Sequence, residues 1–387
     1  ITGAVWWRWW PRLQGRERWL LVAVVLLAAA PWAVVARGER AAAAAQREQD
    51  ARLGYVRPSN GSARATYAAW GAESVRSPLL GFYHAWRREN MSAWLWRRHA
   101  LPLQPTASAA SATRPARVPG QPNVVLVLVE SWGEAEDPQL RQALIAPFNA
   151  LSDRYQVTSG MTAFHGATGD GELRELCDRA LPSGMPLAMA SGQLSGCRPW
   201  QFAERGYRTL AVDSAADFWP GGASWYRLLG FQQVLGYSDL RARGLPEFIA
   251  GTFRSTGDPE TAALLPRLLR AGQPPRFIFF LTVGAHLPVH LPLPLEYNSS
   301  CSLSQATTSS PTACGWFRIE SATLAALAQA AAAPQLPPTV FLLVGDHAPP
   351  FADSTRRFFP PAEVPYILLT PRSGATGLRA VAGQGKY

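Results

Sequence analysis

NVVLVLVES, residues 123–131, decides how this chain is read. Six aliphatic residues follow one another without a polar break, and the run ends on Glu130. A strand with one face in water would alternate. A continuous run suits a strand buried on both faces, as in a parallel sheet. Runs of the same texture recur at RTLAVD (208–213), RFIFFLTV (276–283), TVFLLVGD (339–346) and VPYILLT (364–370). Helical stretches lie between them, near 137–154, 171–180, 199–206, 259–271 and 315–332. Strand and helix alternating in this way specify an α/β domain over 123–387, with a largely parallel sheet sandwiched by helices. Ligands of such sheets bind at the carboxyl ends of the strands. Three runs bring polar residues there: Glu130, His286 just beyond its strand, and Asp346-His347.

Upstream the texture is different. Residues 104–122 fall in a stretch rich in Pro, Ala, Ser and Thr, a composition that reads as a linker. Residues 38–103 read as a juxtamembrane helical region. It begins with the Ala-rich, mixed-charge GERAAAAAQREQDARL and later carries Trp86, Trp94 and Trp96 among arginines. Trp19–Ala36 is an uncharged apolar run of 18 residues, at the short end of what a membrane-spanning helix needs, about 20. Arg8, Arg12, Arg16 and Arg18 precede it. Cations on that side place the flank in the cytoplasm and send the rest of the chain outward. Residues 1–37 are therefore expected to be a membrane segment with a cytoplasmic flank. A buried core helix and an uncleaved signal peptide are the competing readings of the same run.

With 387 residues the chain can hold one large domain or two ordinary ones, and 48% apolar content excludes a wholly disordered polymer. The net charge is +10, but the arginines are scattered and form no stripe with interleaved aromatics, so no nucleic-acid partner is expected. No internal repeat is present. Cys301 and Cys314 bracket a Ser/Thr-rich loop, and Cys177 and Cys197 form a second possible bridge; four free thiols are the alternative. Neither spacing is that of a zinc finger.

The chemistry gathers in three places. VGDHAPP sets Asp346 and His347 where an apolar strand meets a Pro-containing loop. A buried carboxylate there is costly unless paired or bound to a metal, and Asp with His suits zinc or manganese. A hydrogen-bonded turn also fits the dipeptide. Glu130 repeats the pattern, with an N-cap or a surface acid as its plain alternative. In TAFHGATGDGELREL (162–176), Gly166, Gly169 and Gly171 permit a tight loop that opens into a helix. A hydroxyl at such a junction can be a nucleophile, because helix N-terminal amides and a metal favour developing phosphoryl charge. A capped helix after a glycine turn is the alternative.

The motifs VLVESWG, GATGDGE, TVGAHLP and VGDHAPP occur in this order behind a membrane segment. Over about residues 121–372 the chain resembles the sulfatase-like branch of the alkaline phosphatase superfamily, and within it the lipoteichoic acid synthases and the phosphoethanolamine and phosphoglycerol transferases. The resemblance implies one divalent metal, zinc or manganese, held by Glu130, Thr168, Asp346 and His347. It makes Thr168 the nucleophile and His286 a catalytic residue that contacts substrate. His286 is expected either to protonate the leaving group or to activate the acceptor, and His165 to support the nucleophile loop. The family's substrate-binding Phe-Trp-Asn-Arg stretch is matched only by Phe218-Trp219; Pro220-Gly221 follow, so Arg227 is the candidate substitute for the missing arginine. Cys197 is followed by Arg-Pro-Trp, which is not the C/S-x-P-x-R setting of a sulfatase.

The implied partners are a membrane phospholipid donor and an envelope glycan or glycolipid acceptor. The implied location is the bacterial inner membrane, with the catalytic domain periplasmic or extracellular. The implied activity is transfer of a phosphoglycerol or phosphoethanolamine headgroup. A phosphatase, phosphodiesterase or sulfatase-type hydrolase of the same superfamily, or an inactive envelope-assembly protein, are the alternatives.

Overall fold

The computed structural model describes residues 103–114, 120–164, 166–180, 194–218, 222–251, 253–270, 274–289, 299–308, 310–351, 354–360 and 362–372. The expected membrane segment, and the juxtamembrane region apart from Leu103, lie outside them. Among the described residues no helix is long and apolar enough to cross a membrane.

The strands are β1 (Gln104–Pro105), β2 (Asn123–Val129), β3 (Tyr155–Ala163), β4 (Arg179–Ala180), β5 (Arg208–Asp213), β6 (Gln233–Leu235), β7 (Glu247–Ala250), β8 (Phe253–Thr256), β9 (Arg276–Leu281), β10 (Thr339–Gly345) and β11 (Glu363–Pro371). The helices are α1 (Pro138–Asn149), α2 (Thr168–Cys177), α3 (Arg198–Glu204), α4 (Gly222–Leu229), α5 (Tyr237–Ala242), α6 (Asp258–Ala262), α7 (Leu265–Leu269), α8 (Gln305–Thr308) and α9 (Pro311–Ala332). Seven strands form one sheet in the order β3-β11-β10-β2-β9-β5-β6. β10, β2, β9, β5 and β6 run parallel, β11 runs antiparallel to both of its neighbours, β10 and β3, and β3 therefore points the same way as the parallel set. The expected parallel core is present, but the sheet is mixed. β11 reads as apolar as its neighbours yet runs the other way, because strand direction is set by how the chain returns and not by composition.

Every residue of β2 and of β10 is buried. Their side chains alternate between two apolar layers. Val125, Val127 and Val129 face Leu140, Leu144 and Phe148 of α1 and Trp316, Leu324 and Leu327 of α9. Val124, Leu126 and Leu128 face Leu173 and Leu176 of α2, Phe202 of α3 and Trp225 of α4. Helices thus cover both faces, which is why these strands carry no polar alternation.

The linker expected over 104–122 requires correction for its first part. Gln104–Pro105 pair with Arg179–Ala180, and Ala110 and Thr113 are fully buried. The composition is poor in apolar residues, but the segment finds polar partners: Ala110 N donates to Glu175, and Arg198 donates to Ala110 O and Ser108 Oγ. Ser108 and Arg114 both donate to Asp178. Cys177 is bonded to Cys197, and Cys301 to Cys314.

Candidate active site

β2 and β10 lie side by side in register, with Val129 opposite Gly345. The next residue of each is therefore Glu130 and Asp346, brought together from 216 positions apart by pairing alone. Ser131 adopts φ 60, a left-handed conformation that a non-glycine residue holds at some cost. That turn aims Ser131 N at Asp346 Oδ1, 2.7 Å away, and Ser131 Oγ at Glu130 Oε1, 2.8 Å away. Trp316 Nε1 of α9 donates to Ser131 O and holds the turn.

Glu130, Asp346 and His347 offer ligand atoms that all lie within 4.8 Å of one another. His347 Nε2 stands 3.4 Å from Glu130 Oε1 and 3.3 Å from Asp346 Oδ2. Its Nδ1 is 3.0 Å from Ala348 O, which assigns the proton to Nδ1 and turns Nε2 toward the carboxylates. Asp346 Oδ1 accepts two backbone N–H groups, from Ser131 and His347. Its Oδ2 is buried and has no hydrogen-bond partner. A buried orphan oxygen between an imidazole and a second carboxylate fits a cation. Burial and the neighbouring Glu130 push Asp346 up to about 7. Burial pushes His347 down, but Asp346 and Glu130 outweigh it and the net direction is up. Two carboxylates and an imidazole form a donor set for a divalent ion such as zinc or manganese.

Thr168 is the first residue of α2, and its Oγ1 donates to Glu130 Oε2 at 3.1 Å. Asp170 Oδ2 accepts from Ala167 N at 2.9 Å and closes the turn. Gly166 has φ 110, and a Cβ there would strike the Asp170 carboxylate, so the turn requires glycine. The hydroxyl thus sits at a helix N-terminus beside the carboxylate–imidazole cluster.

His286 is partly buried beyond β9, with Nδ1 2.8 Å from Leu287 O and its ring edge-on to Phe253. Burial, helped by the neighbouring His347, lowers it to about 4. That direction favours the neutral imidazole and, of the two roles expected for His286, activation of the acceptor. Arg227 stands exposed on α4. Trp219 and His165 lie outside the described residues.

Several residues at this sheet edge escape the motif reading. Thr282 Oγ1 accepts Glu130 N at 2.9 Å, and Asp258 accepts Val283 N and Gly284 N. Burial raises Asp258 to about 7. Glu320 of α9 is buried with neither carboxylate oxygen partnered, and burial raises it well above the usual range. Glu172, one turn beyond Thr168, accepts from Trp225 Nε1 at 2.7 Å and lies 2.8 Å from Tyr226 Oη. The same Tyr226 Oη lies 2.8 Å from Asp213 Oδ2. A phenol has one proton, so one of the two acids keeps its own; burial raises Glu172 to about 8. The rule that selects Glu130 and Asp346, an acid closing an apolar run, also selects Asp213 in RTLAVD. Glu172 and Glu320 sit mid-helix and carry no such signal.

An α/β sheet with a metal-competent acid–imidazole cluster and a helix-terminal threonine at its carboxyl edge has the parts of a phosphoryl- or sulfuryl-handling enzyme. No family model matches the sequence, and no curated protein matches it. Among solved structures, the similar ones include an alkaline phosphatase superfamily protein, a lipoteichoic acid synthase and phosphoglycerol and phosphoethanolamine transferases. One is a protein of that superfamily from Vibrio parahaemolyticus, 14% identical, covering 74% of this chain and 70% of that one, TM-score 0.48. Another is the Streptococcus pyogenes phosphoglycerol transferase GacH in complex with sn-glycerol-1-phosphate, 14% identical, 81% and 77% covered, TM-score 0.43. A third is the C-terminal periplasmic domain of Escherichia coli EptC in complex with Zn, 12% identical, 70% and 78% covered, TM-score 0.41.

Proposed function

We propose that this chain is a metal-dependent phosphotransferase that moves a phosphoglycerol or phosphoethanolamine headgroup from a membrane phospholipid to an envelope glycan or glycolipid. The reading is carried by one observation: the Thr168 hydroxyl hydrogen-bonds Glu130 inside a cluster whose Asp346 holds a buried, unpartnered oxygen. The headgroup class is what the family resemblance carried by the ordered motifs VLVESWG, GATGDGE, TVGAHLP and VGDHAPP implies. The apolar run Trp19–Ala36 supplies a membrane anchor that keeps the site beside its lipid donor, on the periplasmic or outer face. Residues 123–387 form the catalytic domain in this reading.

Glu130, Thr168, Asp346 and His347 would hold the metal, with Ser131 N and Ala348 O fixing the orientation of Asp346 and His347. When bound, a divalent ion neutralises phosphoryl oxygens and favours the threonine alkoxide. Thr168 Oγ forms a bond to phosphorus as the bond from phosphorus to the diacylglycerol oxygen breaks. The hydroxyl proton faces Glu130 Oε2 at the outset and ends, in net terms, on the released diacylglycerol. The N-terminal amides of α2 receive the developing charge. In the second displacement an acceptor hydroxyl forms the new bond to phosphorus, the Thr168–phosphorus bond breaks, and Thr168 regains a proton. His286, as the neutral imidazole, takes the proton of that acceptor hydroxyl and gives it up again, so that in net terms it ends on Thr168.

The test is mass spectrometry of the full chain after incubation with a headgroup-labelled phospholipid, together with product analysis. The expected result is a phosphoryl-headgroup adduct on Thr168 and label in a glycan or glycolipid. Free headgroup alone would place the chain among hydrolases. An adduct on any other residue, or none under turnover, would overturn the mechanism.

A further inference from the structure

Helix α2 carries a second feature that the chemistry above does not use. Arg174 is buried, six residues beyond Thr168, on the helix that the nucleophile opens. Its Nε donates to Glu175 Oε1 at 2.6 Å, and its Nη2 to Gly345 O at 2.7 Å. Nη1 reaches Ala163 O at 3.3 Å and Asp346 O at 3.5 Å. Gly345 and Ala163 are the last residues of β10 and β3, where the ladder stops and carbonyls lose their strand partners. One guanidinium therefore ties off two strand ends and does so from the nucleophile's own helix. Glu175 is held from the other side by Ala110 N at 2.8 Å, so the pair is anchored at both ends. Gly171 lets the helix approach closely: a Cβ there would lie 3.2 Å from Asp346 Cβ.

We infer that Arg174 is a positioning residue that registers α2 against the end of β10, so that Thr168 and Asp346 meet at one metal. A phosphate-binding role does not suit it, because four of its five N–H groups are already engaged in a buried setting. Its charge does not suit metal binding either. Arg174 acts on His347 as a neighbouring cation, and a cation near the cluster opposes a divalent ion. The two possible contributions have opposite signs. If charge dominates, neutralising Arg174 tightens metal binding. If registration dominates, it loosens metal binding.

The inference rests on the metal-site reading above, and the experiment separates the two. Zinc and manganese affinities of the full chain are measured by calorimetry without substrate, beside thermal unfolding of the metal-free protein. The double variant Arg174→Met/Glu175→Gln removes the clamp without leaving a buried carboxylate unpaired, and Glu175→Gln alone is its control. Arg174→Lys keeps the charge but not the fork that reaches two strand ends. The double variant is expected to stay folded and to bind either ion roughly 10–100-fold more weakly. Arg174→Lys should fall between it and the wild type, and Glu175→Gln reports the share lost when the carboxylate alone is neutralised. Wild-type or tighter affinity in the folded double variant overturns the inference. Should the double variant fail to fold, Arg174→Lys decides by the same criterion. A Glu130→Ala control that keeps its metal sinks the site reading and the clamp with it. Glu130→Ala losing metal while both Arg174 variants keep theirs sinks the clamp alone.

Discussion

Two groups of buried acids share one edge of the sheet, and they are settled in different ways. In the first, Glu172 and Asp213 meet on Tyr226 Oη, Trp225 Nε1 donates to Glu172, and Ala215 N donates to Asp213. In the second, Glu130, Asp346 and His347 converge, and Asp346 Oδ2 is buried without a donor. The first group is satisfied by the chain and a retained proton. The second meets its charge with protons on Asp346 or His347, both of which are raised, and a divalent ion can take their place. A cluster completed by fixed donors of the chain suits a structural role, whereas one completed by exchangeable protons beside the Thr168 hydroxyl suits a reactive one.

The sharpest way to break the comparison is Thr168→Ala. It removes only the hydroxyl that touches the second cluster, so headgroup release should fall by several orders of magnitude while thermal stability changes little. Thr168→Ser should keep part of the rate. Wild-type turnover in a folded Thr168→Ala protein would exclude the nucleophile, and a loss of about 1 kcal/mol of stability with normal rates would mark a helix cap instead.

Next comes the metal. Glu130→Ala or Asp346→Ala should strip most bound zinc or manganese, whereas Tyr226→Phe, which cuts the satisfied cluster, should leave the content close to one ion per chain. Elemental analysis after dialysis reads this directly. Equal metal loss in all three variants would erase the distinction between the clusters.

A pH series sharpens the contrast further. The carboxyl of Glu172 is raised by burial from 4.5 to about 8 in the folded protein. Folding therefore gains from the neutral acid below about pH 4.5, and the gain is lost as the pH rises through about 8. Asp346, raised to about 7, acts with the same sign in the metal-free protein. Metal-free protein should lose melting temperature across that window, and Glu172→Gln should flatten the curve by an amount on the order of a few kcal/mol. Saturating metal should remove the Asp346 share and leave that of Glu172. Parallel melting curves for wild type and Glu172→Gln would contradict this assignment.

The smallest effect on the site is expected from the bridge that ends α2. Reducing Cys177–Cys197 should lower stability by about 2–4 kcal/mol and leave metal content unchanged. Without reductant, alkylation under denaturing conditions should find no free thiol. Labelling at Cys177 would argue against the bridge.

Much of this was legible in the residues. Uninterrupted runs such as NVVLVLV and TVFLLVG require burial on both faces, and that requirement alone specifies strands covered by helices. An acid that closes such a run must find a partner at the sheet edge, which selects Glu130 and Asp346 and, by the same rule, Asp213. The glycines around Thr168 mark a loop entering a helix. These are local facts, because burial and backbone freedom act on neighbouring residues.

What only the tertiary structure decided is everything that depends on which segments meet. YQVTSGMTA has no apolar run, yet it forms the outer strand β3 because it pairs along one side with β11 and is exposed on the other. The Ala- and Ser-rich stretch around residue 110 is buried because Glu175, Asp178 and Arg198 supply its polar partners from distant sequence. The downward shift of His286 follows from its burial, beside Phe253, and from a second imidazole 61 residues away. Composition is a property of each segment. Register, burial of a charge and the sharing of a proton are properties of pairs of segments, and they exist only once the chain has closed on itself.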